Sequence, residues 1–313
     1  MFLVLVLALA ASLCFAVGYV LQYHEAHEAP QGLFLSPRLL VELAHHRIWV
    51  GGIVAMLIGD GLQAWALGIG SLAVVEPVLT ASLLFALPLS AAWRREKLRR
   101  TEWTGAVLVS AGVSLVLGVG APTAGDADMP QYQWLLLTLA AWGLGLILVA
   151  AGRRAPWPSY KAALIGGGAG VLFGLQDALT RYCLHWISRD FTHLALSWQP
   201  YVLLVTAVYG LVLAQSAYEA GSLSASLPPM IVGEPVIGGL IGIVALHERL
   251  GTAPGELFWE TVGAVAMVWG TWMLARSPLV VGKSHPRWQK FEERVLHHHP
   301  RPPKDVEVDR SPG

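Results

Sequence analysis

Two eleven-residue stretches decide the fold: Glu102–Gly112, EWTGAVLVSAG, and Glu260–Gly270, ETVGAVAMVWG. Glu, then Gly-Ala-Val three residues on, then Gly seven further, recur at one spacing. Upstream of each lies a second shared anchor. Ser71-Leu72 followed by Pro77 matches Ser222-Leu223 followed by Pro228. A third is weaker: Phe15…Leu21-Gln22 matches Phe173…Leu179-Thr180, and Gln63 and Gln215 each precede a Ser-Leu pair. Three anchors in one order read as an internal repeat, and a repeat found early constrains everything else.

Composition says what the repeat unit is made of. The 313 residues are 55% apolar and 13% charged, about half the charge of an average soluble domain, and the mean hydropathy is +0.54. That excludes a soluble globule, which needs charge to cover its surface, and an intrinsically disordered chain. A bilayer-crossing helix takes about 20 mostly apolar residues. Nine stretches meet that length: 2–22, 48–69, 71–92, 103–120, 133–152, 162–185, 195–217, 222–246 and 257–276. Residues 2–22 are too long for a signal-peptide core and lack a basic flank. Residues 23–47 carry too much charge to span and read as an interfacial amphipathic segment. Residues 277–313 read as a disordered cytoplasmic tail.

The expected fold is an all-α polytopic membrane protein with nine transmembrane helices in a 4+1+4 arrangement. Residues 1–120 form the first four-helix repeat, 121–160 an external loop and connector helix, and 161–276 the second repeat. Matching helices are five apart, an odd number, so each crosses opposite to its counterpart. Such inverted repeats build many secondary transporters, with the substrate site near the midplane.

Lys and Arg set the orientation. With the N-terminus outside and the C-terminus cytoplasmic, 18 of the 21 basic residues fall inside, including Arg94, Arg95, Lys97, Arg99 and Arg100, and only Arg181, Arg189 and Arg249 fall outside. Eight tryptophans, among them Trp49, Trp93, Trp134, Trp198 and Trp259, sit near expected helix ends, as an aromatic belt does. The chain therefore belongs in a cell (inner) membrane, with the lipid bilayer as its first partner.

Glu96-Lys97-Leu98 and His247-Glu248-Arg249-Leu250 close the third helix of each repeat. This pattern resembles the drug/metabolite transporter superfamily, specifically its EamA-like group. The run Gly61-Leu62-Gln63-Ala64…Ser71-Leu72 is similar to the NIPA-type branch, over roughly residues 1–276. The resemblance implies a transporter of a small metabolite or a cation. Its NIPA-type branch is associated with magnesium. EamA-type halves usually have five helices, whereas residues 23–47 are too polar to supply the second.

Ionisable groups at membrane depth cost several kcal/mol and mark functional sites by default. Asp60 lies mid-span between Gly59 and Gly61. Glu234 lies between Gly233 and Pro235 at the centre of its span, and aligned on Ser71 and Ser222 it faces no acid in the first half. Both fit a substrate or ion pathway or a buried structural hydrogen bond. Glu76, beside Pro77, reads equally as a pathway acid or a helix-start carboxylate favoured by the dipole. Asp177 reads as a pathway acid or as the partner of Arg181, four residues on, in a local ion pair. Gln63, Gln176 and Gln215 either bind a solute or tie helices together. Gly166–Gly170 and Gly174 read as close helix packing or a hinge.

Other chemistry is weakly represented. Cys14 and Cys183 lie in apolar runs and form no disulfide framework. The segment His24-Glu25-Ala26-His27-Glu28 lacks zinc-protease spacing, and like His297–His299 it reads as solvated. Ser71 and Ser222 read as helix caps. Without a phosphate loop, a catalytic nucleophile or a metal motif at membrane depth, no cofactor and no enzyme activity are expected. No basic folded surface invites nucleic acid. A homodimer is compatible with the pattern. The readings left open are a metabolite or cation transporter, a NIPA-like divalent-cation permease, an intramembrane enzyme and a non-transporting scaffold.

Overall fold

In hydrocarbon a backbone must satisfy its own polar groups, and for apolar runs of this length the helix is the available solution. The computed structural model describes residues 2–29, 34–69, 75, 78–95, 97–119, 130–187, 189–245 and 254–275. Its elements are α1 (Phe2–His27), α2 (Arg38–Leu43), α3 (Arg47–Ile69), α4 (Ser82–Trp93), α5 (Arg100–Val119), α6 (Gln131–Arg154), α7 (Pro158–Ile187), α8 (Phe191–Leu196), α9 (Gln199–Ala220), α10 (Leu223–Ala245) and α11 (Pro254–Ala275). No described element is a strand. Five described helices are long and apolar enough to cross a membrane: α1, α3, α6, α7 and α9. Leu136, Leu139, Leu146 and Ile147 on α6, and Val265, Val268 and Trp269 on α11, point outward, as lipid-facing residues do.

Several boundaries differ from expectation. The polar segment after residue 22 stays helical through His27, and Arg38–Leu43 forms one short helix packed on α9. The third expected span is described as a continuous helix only from Ser82. Its earlier part, with Ser71 and Glu76, lies largely outside the described residues, as does the tail. The α4 helix ends at Trp93, and Arg95 just beyond it, with a φ of 55°, is the left-handed stop usually given to glycine.

The helices pack in two similar sets. α1 lies against α3 and α4, and α7 lies against α9 and α10. Glycines set the closest approaches. Gly166, Gly170 and Gly174 occur every fourth residue along α7. A Cβ on Gly170 would stand 2.7 Å from the Met230 carbonyl oxygen and one on Gly174 2.5 Å from that of Glu234. Numbers rise together on both helices, so α7 and α10 run parallel, backbone to backbone. The glycine-rich run is thus close packing, the small-residue mode of membrane helices. On α1 the same spacing carries Ala8, Ser12 and Ala16, all fully buried.

α5 and α11, which carry the two opening stretches, pack directly on each other. Gly105 meets the Gly270 carbonyl, and Gly112 meets the Gly263 carbonyl. The helices run antiparallel, and the first glycine of each stretch touches the second glycine of the other.

Candidate functional site

The polar groups lie in two layers. One is near mid-bundle. Gly18 and Gln22 of α1 contact Met56 of α3, so the α3 face bearing Met56 turns toward α1. Asp60 and Gln63 follow Met56 by four and seven residues on that face. Asp60 is exposed and Gln63 half-buried. From the second half, α10 contributes the half-buried Glu234. Tyr19 of α1 is within electrostatic reach of Glu234, Tyr218 and Asp60. One tyrosine thus senses a carboxylate from each half. Pro235 lacks an amide hydrogen, which leaves the Ile231 carbonyl without its helical donor, one turn from Glu234.

The second layer closes the end where α1, α4 and α9 terminate. The Trp49 indole N–H donates to Gln215 Oε1 at 3.1 Å. The Gln215 amide donates to Gln22 Oε1 at 2.6 Å, and the Gln22 amide in turn donates to the Met56 sulfur. Gln215 is 0% exposed, Gln22 2% and Trp49 7%, so this chain of bonds is dry. Below it Arg94 donates to the Tyr23 hydroxyl at 2.8 Å. The Tyr23 ring meets Tyr218 edge-on at 6.0 Å, and His27 Nδ1 lies 3.2 Å from the Tyr218 carbonyl. Lys161 stands 3.9 Å over the Phe34 ring. The cavity left among Tyr23, Ser90, Arg94, Glu102 and Ser222 is about 30 Å³, room for water and not for a solute.

The sequence-predicted residues are distributed unevenly. Asp60 and Glu234 both lie within electrostatic reach of Tyr19. Gln215 is a buried tie between halves. Gln176 is half-buried and Asp177 exposed on α7, and the Arg181 side chain and Glu76 lie outside the described residues. The His24–Glu28 segment is packed only in part: Glu25 pairs with His46 at 2.7 Å and the His24 ring lies tilted 5.0 Å from Trp93, while His27 and Glu28 are exposed as a solvated segment is. The Ser222 hydroxyl bonds Ser224 Oγ at 3.0 Å and does not cap α10 in the expected way. Among the described residues, no three His, Cys, Asp or Glu side chains come together as a metal-binding group. Tyr19, Gln22, Tyr23, Trp49, Arg94 and Tyr218 escaped the sequence reading. A usable signal existed for Tyr19 and Gln22, polar groups in an otherwise apolar run.

Many apolar helices, with polar side chains such as Gln22, Thr206 and Gln215 buried between them, define a multi-pass helical membrane protein. Residues 32–118 match the EamA-like transporter family. The chain is 32% identical over 279 residues to an uncharacterized protein of Corynebacterium glutamicum, covering 88% of this chain and 95% of that one. It is 23% identical over 290 residues to a protein of Arabidopsis thaliana named probable magnesium transporter NIPA9, covering 88% and 82% respectively. No solved structure matches it significantly. The chain belongs to the EamA-like family of the drug/metabolite transporter superfamily, whose members are transporters of small molecules or cations.

Proposed function

We propose that the protein is a secondary transporter that moves a small metabolite or a cation across the inner membrane by alternating access between two inverted four-helix bundles. The observation that carries this reading is that Asp60 from the first half and Glu234 from the second both lie within electrostatic reach of Tyr19. A substrate held there is held by both halves, so a rocking motion of one against the other exchanges its access.

The packing supports the inverted arrangement. In a nine-crossing chain, helices an even number apart are parallel and the rest antiparallel. The glycine contacts give α7 parallel to α10 and α5 antiparallel to α11, as that parity requires. The end closed by the Trp49–Gln215–Gln22 chain also carries Arg94 and Lys161, which makes it the cytoplasmic end by the positive-inside rule.

The test is uptake into proteoliposomes with and without an imposed pH gradient. Glu234→Gln is expected to keep membrane level but lose concentrative uptake, while exchange down a gradient suffers less, because neutral Gln mimics a protonated acid. If Glu234→Gln and Asp60→Asn both transport like the unaltered chain, the acids are structural and the path lies elsewhere.

A second reading, a magnesium permease, is favoured by the similarity to the Arabidopsis protein. Mg²⁺ keeps several of its waters and takes one or two protein carboxylates, which is what Asp60 and Glu234 offer. Flux of Mg²⁺ independent of the pH gradient and abolished by either substitution distinguishes this case.

A further inference from the structure

The bonds joining α1 to α9 have counterparts in the other half, and these counterparts differ in chemistry. Packing fixes which residues correspond. The Phe15 ring lies against Gly59, where a Cβ would stand 2.9 Å from Cε1, and the Phe173 ring lies against Gly210, again at 2.9 Å from Cε1. Phe15 thus matches Phe173, as the repeat already has it, and Gly59 matches Gly210, the register of Ser71 with Ser222. Carried along the helices, Gln22 corresponds to Thr180, Gln215 to Ala64 and Trp49 to Pro200. The similarly placed Gln63 falls one residue out of step with Gln215.

In the opposite state of an inverted repeat, α7 and α3 approach as α1 and α9 do now. Here α1 and α9 pack, and among the described residues α7 and α3 make no comparable contact. When they do meet, Thr180 faces Ala64 beside Pro200. Alanine has no hydrogen-bonding side chain and proline no side-chain N–H, so the Trp–Gln–Gln chain cannot be rebuilt there.

We infer that Trp49, Gln215 and Gln22 form a one-ended latch. The transporter rests closed at the end where α1 and α9 terminate, and releasing this latch is the step the chain controls. The inference rests on the alternating-access reading above. A buried neutral hydrogen bond contributes modestly to stability, but one left unpaired destabilises the closed form further. Removing the Gln215 amide is therefore expected to shift the balance toward opening of this end by about tenfold or more.

The test uses the full-length chain in proteoliposomes, with Cys14 and Cys183 replaced by alanine and N-ethylmaleimide as the probe. Ser90→Cys, in the small cavity at the latched end, reports on that end, and Thr180→Cys reports on the other. With Gln215→Leu, Ser90→Cys should label about tenfold faster and Thr180→Cys more slowly. Trp49→Phe deletes only the indole N–H and guards against a folding failure, with an expected increase of about threefold. If Ser90→Cys labels faster while Thr180→Cys is unchanged, the bonds merely brace α1 on α9 and the inference is wrong. A Thr180→Cys/Ala64→Cys disulfide separately forces the other end shut. If forced closure exposes Ser90→Cys but Gln215→Leu and Trp49→Phe do not, the latch alone is refuted. If forced closure leaves Ser90→Cys protected, the ends are uncoupled and alternating access itself fails.

Discussion

Replacing Gly112 with alanine adds one methyl group where two backbones already touch. The new Cβ would lie 2.6 Å from the Gly263 carbonyl oxygen, 2.7 Å from Met267 Cγ and 2.8 Å from the Met267 amide nitrogen. Ordinary contact begins near 3.4 Å, so α5 and α11 must separate by roughly 0.8 Å. A gap of that size forfeits a quarter to a half of each dispersion contact along the crossing, and overpacking costs about 1–3 kcal/mol. Alanine returns about 1 kcal/mol through its better helix propensity. The net expectation is destabilisation by up to about 2 kcal/mol. Gly143→Ala is the matched control, because nothing lies within 4 Å of a Cβ there and only the propensity gain remains. Unfolding in mixed micelles against rising SDS, followed by tryptophan fluorescence with Trp269 and Trp272 on α11, should move the two midpoints in opposite directions. A Gly112→Ala chain as stable as Gly143→Ala would show that α5 and α11 do not meet in this way.

Three further outcomes can be checked. Reporter fusions after residue 98 and at the C-terminus should both report cytoplasm, and one within 121–130 the outside; an external C-terminus would remove the inverted repeat. Truncation after residue 283 should leave insertion and transport intact, because the sequence beyond has no apolar periodicity to dock, and loss of activity at normal expression would assign the tail a role. Trp142→Phe should cost about 0.6 kcal/mol, typical of interhelical hydrogen bonds in membranes, by deleting the donor to buried Thr206 at 3.3 Å; an unchanged SDS midpoint would contradict it.

Helix positions were legible because a bilayer-length apolar run has few alternatives. The close packing at Gly166, Gly170 and Gly174 was legible too, since glycine every fourth residue makes a groove. Its counterpart in the first half was harder to see: Ala8, Ser12 and Ala16 keep the spacing but look like ordinary apolar filler. The His24–Glu28 segment was legible only in part: His27 and Glu28 are exposed, but charge alone did not reveal that Glu25 finds His46 and His27 a carbonyl across the bundle. That Asp60 and Glu234 lie within electrostatic reach of one residue could not be read at all. They stand far apart in sequence, and what relates them is Tyr19, a residue on a third helix with no motif around it. The two glutamines before the Ser-Leu pairs looked equivalent and are not, because a one-residue shift on a helix turns a side chain by about 100°.

The crossing of α5 and α11 has a consequence for the protein's origin. Contacts in which the first element of one partner meets the second of the other, and the reverse, are those of an isologous two-fold interface. Here both partners lie in one chain, but the surface is self-complementary. A half-length polypeptide ending after α5 would carry, on its last helix, an edge that fits a second copy of itself inserted the other way up. Two such copies need no common gene to assemble, only the freedom to enter the membrane in both orientations. Under the proposed inverted repeat, fusing them requires an odd number of added crossings, and α6 is the connector helix in that proposal.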